Sequence, residues 1–193
     1  MKTEIRLLDI DDSPFNLDDE TVLVIATFFR GGDAMDGVLS CHIQVDGDDA
    51  TYQLIQLINT SKFKSQTQAI LLDGIAVGGF NIINIHSLNK HTGIPVIVVV
   101  RKMPDFAKLE KTLRRLGMEK KYALMEKAGT PHKITLTGKK VSGDVHIQVA
   151  GISVENTEKI IKLSSTHSNI PEPIRAAHLI GAGIVKGESK GRA

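Results

Sequence analysis

Residues 69–81 read AILLDGIAVGGFN: Ala-Ile-Leu-Leu runs straight into Asp73, and the chain then loosens into glycines. A short, unbroken apolar run bounded by turn residues is the pattern of a strand buried on both faces. An acid at its end needs a reason, because a carboxylate leaves water at high cost unless it is paired or holds a cation. The question is which other segment brings a partner to the same edge.

Whole-chain properties narrow the search. The 193 residues fit one domain of ordinary size, and 41% hydrophobic content suits a soluble globular chain. No apolar run approaches the roughly 18 residues of a membrane span, so no membrane partner is expected. The opening MKTEIRLLDIDD lacks the apolar core of a signal peptide. Cys41 is the single cysteine, which excludes an internal disulfide and fits a reducing cytoplasm. The net charge of +2 hides an asymmetry: residues 1–50 hold 12 acids and 3 bases (3 − 12 = −9), residues 101–127 hold 9 bases and 4 acids (9 − 4 = +5). The commoner reading of the basic run is a solvated face, and the sharper one is a phosphate track.

Outward from Asp73, the chain resolves into elements. EIRLLDI, ETVLVIATFFR and GVLSCHIQV read as three strands joined by short turns, hence an antiparallel meander. Leu54, Ile55, Leu57 and Ile58 share a face of a short helix that precedes the opening strand. NIINIHSLNKHTG suits a helix ending at Gly93 and leads to the β-branched run PVIVVV. This strand–helix–strand unit predicts a parallel, right-handed pair. PDFAKLEKTLRRLGMEKKYALMEKAG is helical, with Asp105 in its first turn and Gly117 placed to split it. HKITLTGKKVSGDVHIQVAG reads as a hairpin, SVENTEKIIKLSS as a capped helix, PEPIRAAHLIGAGIV as a last helix begun by proline, and KGESKGRA as a frayed tail.

That order predicts an α/β protein of the ribonuclease H-like class: a mixed five-stranded sheet, three strands in an antiparallel meander and the others parallel, flanked by helices, with an additional β-hairpin. Ligands gather at the carboxyl ends of parallel strands in such sheets. Asp11, after RLLDI, and Asp73 reach that edge together if the first and fourth strands are neighbours. Two carboxylates about 4 Å apart repel by about 4 kcal/mol at an effective dielectric of 20, so the pair calls for a shared proton or a cation. Magnesium or manganese suits an all-oxygen site completed by water and assists phosphodiester hydrolysis. Taken singly, Asp11, Asp12 and Asp73 read as caps or turn formers; it is the paired placement that points to a site.

The segments IDDSPF, FFRGG, VDGDDAT, LLDGIAVGGFN and TGIPVIVVVRK resemble a mostly archaeal protein family catalogued without an assigned function, which is in turn similar to endonuclease V. The resemblance implies one endonuclease V-like domain over residues 1–185, followed by a flexible basic tail at 186–193. It places Asp11 and Asp73 on metal-binding acids, Arg101 of IPVIVVVRK on a lysine that contacts nucleic acid near the metal, and His178 of IPEPIRAAH on a residue beside the metal. It therefore implies Mg2+ or Mn2+, catalytic roles for Asp11, Asp73, Arg101 and His178, and a nucleic-acid partner, RNA or DNA. The chain also departs from the nuclease. Ile43 stands where the nuclease has a glutamate ligand, leaving Asp46 as the expected third ligand and Asp49 as the other candidate. GGDAMDG replaces the strand-prying segment PYIP.

Other signals are weaker. Gly78 and Gly79 are candidate phosphate contacts together with Arg101 and Lys102, although glycines there more often make a turn. GAGIVKG lacks the βα unit of a dinucleotide loop, and LTGKKVSG lacks the first glycine of a P-loop. Cys41 and His42 are adjacent in a strand, so they point to opposite faces and cannot share a metal. His167 is a candidate for lining the cleft or capping a loop. With aromatics at 4% and no tryptophan, base stacking falls to Phe15 or Phe80. Three functions are open: a metal-dependent nuclease, a non-catalytic binding protein on the same scaffold, and a phosphotransferase of the actin-like type, for which the chain is short.

Overall fold

The computed structural model describes residues 4–137 and 141–189. In chain order the elements are β1 (Arg6–Asp12), β2 (Thr21–Arg30), β3 (Ala34–Gln44), α1 (Ala50–Thr60), β4 (Ala69–Asp73), β5 (Ala76–Val77), β6 (Asn81–Ile82), α2 (Ile85–Thr92) and β7 (Val96–Val100). They continue with α3 (Phe106–Arg115), α4 (Glu119–Lys127), β8 (His132–Thr137), β9 (Ser142–Ala150), α5 (Val154–Ser164) and α6 (Glu172–Lys186).

The main sheet has seven strands in the order β3-β2-β1-β4-β7-β9-β8. The meander is antiparallel, β1 pairs with β4 in parallel, and β4 pairs with β7 in parallel. Five strands therefore follow the order expected from sequence. The hairpin does not stand apart: β9 docks antiparallel on β7, with Val96 opposite Ala150, and extends the sheet. The reason lies in β7, an all-apolar VIVVV strand whose outer row of N–H and C=O groups needs a partner once it is buried. The hairpin turn at 138–140 and the tail at 190–193 lie outside the described residues. Lys186, expected to begin the tail, closes α6, and Gly187 caps it in the left-handed conformation.

Strand alternation sorts the core into two layers. Leu8, Ile10, Val24 and Phe28 face α1 and α2, meeting Leu54, Ile58 and Leu88. Leu7, Leu71, Ile97 and Val99 face α5 and α6, meeting Ile160, Ile161 and Ile174. Asp9 and Asp11 share the parity of Leu7, and Asp73 that of Leu71, so all three acids belong to the α6 face. Local chemistry sets the helix ends. Asp105 is the N-cap of α3 and accepts from Lys108 N at 3.0 Å, Ser153 caps α5 through Asn156 N, and Gly117, at φ 70°, separates α3 from α4. The segment expected as one helix from Asn81 instead opens with β6, which pairs back on β5, and α2 starts only at Ile85, capped by Asn84. No helix among the described residues is long and apolar enough to cross a membrane.

Candidate active site

β1, β4 and β7 all end at one edge of the sheet, where a cavity of about 530 Å³ opens. Its walls come from the end of β1 and the following turn (Asp11, Asp12, Ser13, Pro14, Phe15), from β4 (Asp73, Gly74), from β7 (Val100, Arg101) and from α6 (His178). Ile10 is in register with Leu72, so Asp11 and Asp73 leave neighbouring strands side by side. This is the juxtaposition that the two strand-end acids call for. His178 crosses from the last helix to the first strand, with Nδ1 3.2 Å from Asp11 Oδ2. The other Asp11 oxygen accepts from Asp12 N at 2.9 Å.

Crowding four acids here has an electrostatic consequence. Burial pushes the Asp11 carboxyl from an ordinary 3.8 up to about 8, with the neighbouring Asp73 and Asp12 charges adding to the rise. Burial also raises Asp73, while Arg101 and His178 pull it back, and raises Asp12, while the Gly78 N–H pulls it back. Asp9, one strand-repeat behind Asp11, is fully buried; among the described residues neither of its side-chain oxygens has a hydrogen-bond partner, and burial raises it well above the ordinary value. Negative charge at this edge is thus under-compensated, the condition that a divalent cation relieves.

The chemistry of the donor set fits a hard cation, since Mg2+ is commonly held by one or two carboxylates, with waters and substrate phosphate completing its shell. Among the described residues no group of three or more His, Cys, Asp or Glu side chains is arranged to hold a metal by itself. A two-carboxylate site built on Asp11 and Asp73 is what the residues can offer.

Several expected site residues lie elsewhere. Asp46 does not line the cavity: its Oδ1 accepts from Phe80 N at 2.7 Å, and its own N–H donates to Gly78 O at 2.8 Å. Asp49 Oδ1 accepts from Asn81 Nδ2 at 2.7 Å and Gln44 N at 3.1 Å, which ties β3 and α1 to β6. These acids organise loops, so the third-ligand assignment to Asp46 is corrected. Gly78 is corrected too, because its N–H is committed to Asp12 Oδ2 at 2.6 Å and is not free for phosphate. Gly79, at φ 83°, packs on Asp46. Lys102 is exposed beyond the lining, and His167 sits on the exposed side of Glu172, off the cavity. Ile43, where an acid would stand, is buried in the core.

Asp12 is the residue that sequence reading passed over, as a turn former; the doubled acid in DIDD was the available signal. Gly181 was likewise missed. A side chain there would strike the Ser13 hydroxyl, so glycine lets α6 lie against the β1–β2 turn and hold His178 over Asp11.

A model of the family described as endonuclease dU matches residues 3–185. The chain belongs to the endonuclease dU family. A UPF0215 protein of Methanosarcina acetivorans is 47% identical over 194 residues, covering 100% of this chain and 97% of that one. Among solved structures, a protein of unknown function from Archaeoglobus fulgidus superposes with a TM-score of 0.84 at 37% identity, covering 94% of this chain and 99% of that one. Endonuclease V of Ciona intestinalis, bound to DNA containing an inosine, superposes with a TM-score of 0.59 at 16% identity over 90% of this chain and 83% of that one. At that identity the likeness shows that the two share a fold, the ribonuclease H-like architecture expected from the order of elements.

Proposed function

We propose that the protein is a divalent-metal-dependent endonuclease that hydrolyses phosphodiesters in nucleic acid, with DNA carrying deoxyuridine as the first substrate to test. The observation that carries this reading is the pairing of Asp11 and Asp73 at the ends of neighbouring parallel strands, inside a cavity that also holds a cation, Arg101. The description of the family as endonuclease dU and the fold shared with endonuclease V support it.

Asp11 and Asp73 would hold Mg2+ or Mn2+, which when bound supplies Lewis-acid polarisation of the scissile phosphate and eases deprotonation of water. Arg101 lines the cavity with Asp73, whose charge it offsets, and its guanidinium would offer two parallel N–H donors to two oxygens of a phosphate. His178 keeps the Asp11 carboxylate turned toward the opening and is placed to take a proton from an approaching water. Asp12 binds the backbone of the 77–80 turn and so fixes one wall. Phe15 presents the aromatic surface at the rim.

A second reading, a nucleic-acid-binding protein without catalysis, is favoured by Ile43 in place of a ligand and by the engagement of the cavity's third acid, Asp12, with the Gly78 N–H. Calorimetric titration of manganese, paired with cleavage assays on deoxyuridine- and inosine-containing DNA and on RNA, separates the two. The nuclease reading expects manganese binding that Asp11→Ala and Asp73→Ala abolish, and cleavage reduced at least a thousandfold in both. Failure of the wild type to bind manganese at millimolar concentration would end the metal-dependent reading.

A further inference from the structure

The basic run at 101–127 does not dissolve into a uniformly solvated face. Lys108, Lys111 and Arg115 recur at i, i+3 and i+7 on α3, on one exposed stripe opposite the buried Leu113. Among the described residues none of the three has a carboxylate partner. Bases on other elements do: Lys133 pairs with Asp144, Lys159 with Glu155 and Lys162 with Glu158.

The stripe is also tied to the cavity. Arg101 lines the cavity, and α3 begins five residues later, at Phe106, so Lys108 lies no more than about 24 Å from Arg101 along the chain. Leu113 of α3 and Met125 of α4 pack on Ile82, with Ile75 and Phe80 beside them. The helical pair therefore rests on the β5–β6 ribbon that leaves directly after Asp73. The β1–β2 connection, which carries Asp18, Asp19 and Glu20, all exposed, offers no such cationic stripe.

We infer that the Lys108–Lys111–Arg115 face of α3 is a track for the phosphate backbone of DNA running out of the cavity. From Lys108 to Arg115 the helix rises roughly 10 Å, which matches about three nucleotides at 3.4 Å per nucleotide. The inference rests on the reading of the protein as one that acts on nucleic acid, and it adds the direction in which the strand leaves the site.

The test is the salt dependence of binding to a short fluorescent DNA duplex bearing one deoxyuridine, measured in EDTA. Replacing the three residues together (Lys108→Gln, Lys111→Gln, Arg115→Gln) is expected to weaken binding at low salt at least tenfold and to reduce the slope of log K against log salt by about 2 to 3. The double variant Lys159→Gln, Lys162→Gln, on α5, keeps the wild-type slope. In the unmutated protein, bound duplex should protect Lys108 and Lys111 from acetylation while Lys159 and Lys162 stay reactive. A triple variant that binds with the wild-type slope, or acetylation of Lys108 and Lys111 unaffected by duplex, overturns the track and leaves the nuclease proposal standing. Loss of slope in the triple variant, with no cleavage by the wild type in manganese, upholds the track and removes the nuclease proposal. A wild type that fails to bind the duplex at low salt overturns the track outright.

Discussion

Asp11 carries a folding cost at the position proposed to hold the metal. Its carboxyl value is raised on folding, from 3.8 to about 8, so the folded state holds the proton more tightly than the unfolded chain does. The stabilisation from that proton is complete below about pH 4 and is lost as pH rises toward 8. In EDTA, urea-unfolding stability should therefore fall across this window, and Asp11→Asn should flatten the fall, gaining on the order of a few kcal/mol at pH 8 relative to pH 4. A variant whose pH profile parallels the wild type would contradict the assignment of this cost to Asp11. Asp9 belongs to the same account: buried with no hydrogen-bond partner for its carboxyl oxygens among the described residues, it carries a cost that the strand tolerates beside the acids of the candidate site. Cys41 lies outside this site. Burial pushes its thiol up to about 11, so alkylation at pH 8 should be at least tenfold slower in the folded protein than in urea.

Two elements position the site by contacts that no local pattern specifies. α4 sends Lys121, nearly buried, to the β3–α1 loop, where Nζ donates to the carbonyls of Asp46 and Gly47 and pairs with Asp48. Asp46 in turn holds the 77–80 turn, and Asp12 holds it from the cavity side. Lys121→Met should cost about 2–3 kcal/mol, read as a shift in urea midpoint; most of this comes from the two stranded carbonyls, because Asp48 is largely exposed and its pairing is worth little. α6 is the second such element. Gly181→Ala forces α6 away from Ser13, one turn beyond His178. It should lower cleavage at least tenfold while the melting temperature drops only a few degrees; unchanged cleavage would mean that the His178–Asp11 contact does not depend on this close approach.

At the scale of the whole molecule, the site is closed by the two ends of the chain. Asp11 lies on the first strand and His178 on the last helix, 167 residues apart in sequence. α6 also covers Leu7 and Leu71 on the second face of the sheet, and Thr27 Oγ1 is anchored to Pro173 O at 3.0 Å in the interior. A chain ending before Pro171 loses this cover and exposes a continuous apolar sheet face. It should lose its cooperative thermal transition and bind a hydrophobic dye. Cooperative melting of the truncated chain would show that the β-sheet and α5 suffice as a core.

The order of elements and the strand-end positions of Asp11 and Asp73 were legible in the chain itself, because apolar periodicity and turn residues act over a few positions and fix element type and sequence locally; the pairing of β1 with β4, on which the meeting of the two acids depends, was a condition that the tertiary structure met. Arg101 and His178 were legible through the family motifs around them. The docking of the hairpin on β7 was not legible, since a pairing edge is chosen among strands that satisfy the same local rules. The roles of Asp46, Asp12, Lys121 and Gly181 were decided only by the tertiary structure. Each depends on an approach between segments tens of residues apart, where the distance of one side chain from another backbone determines whether an acid faces a cavity or caps a turn.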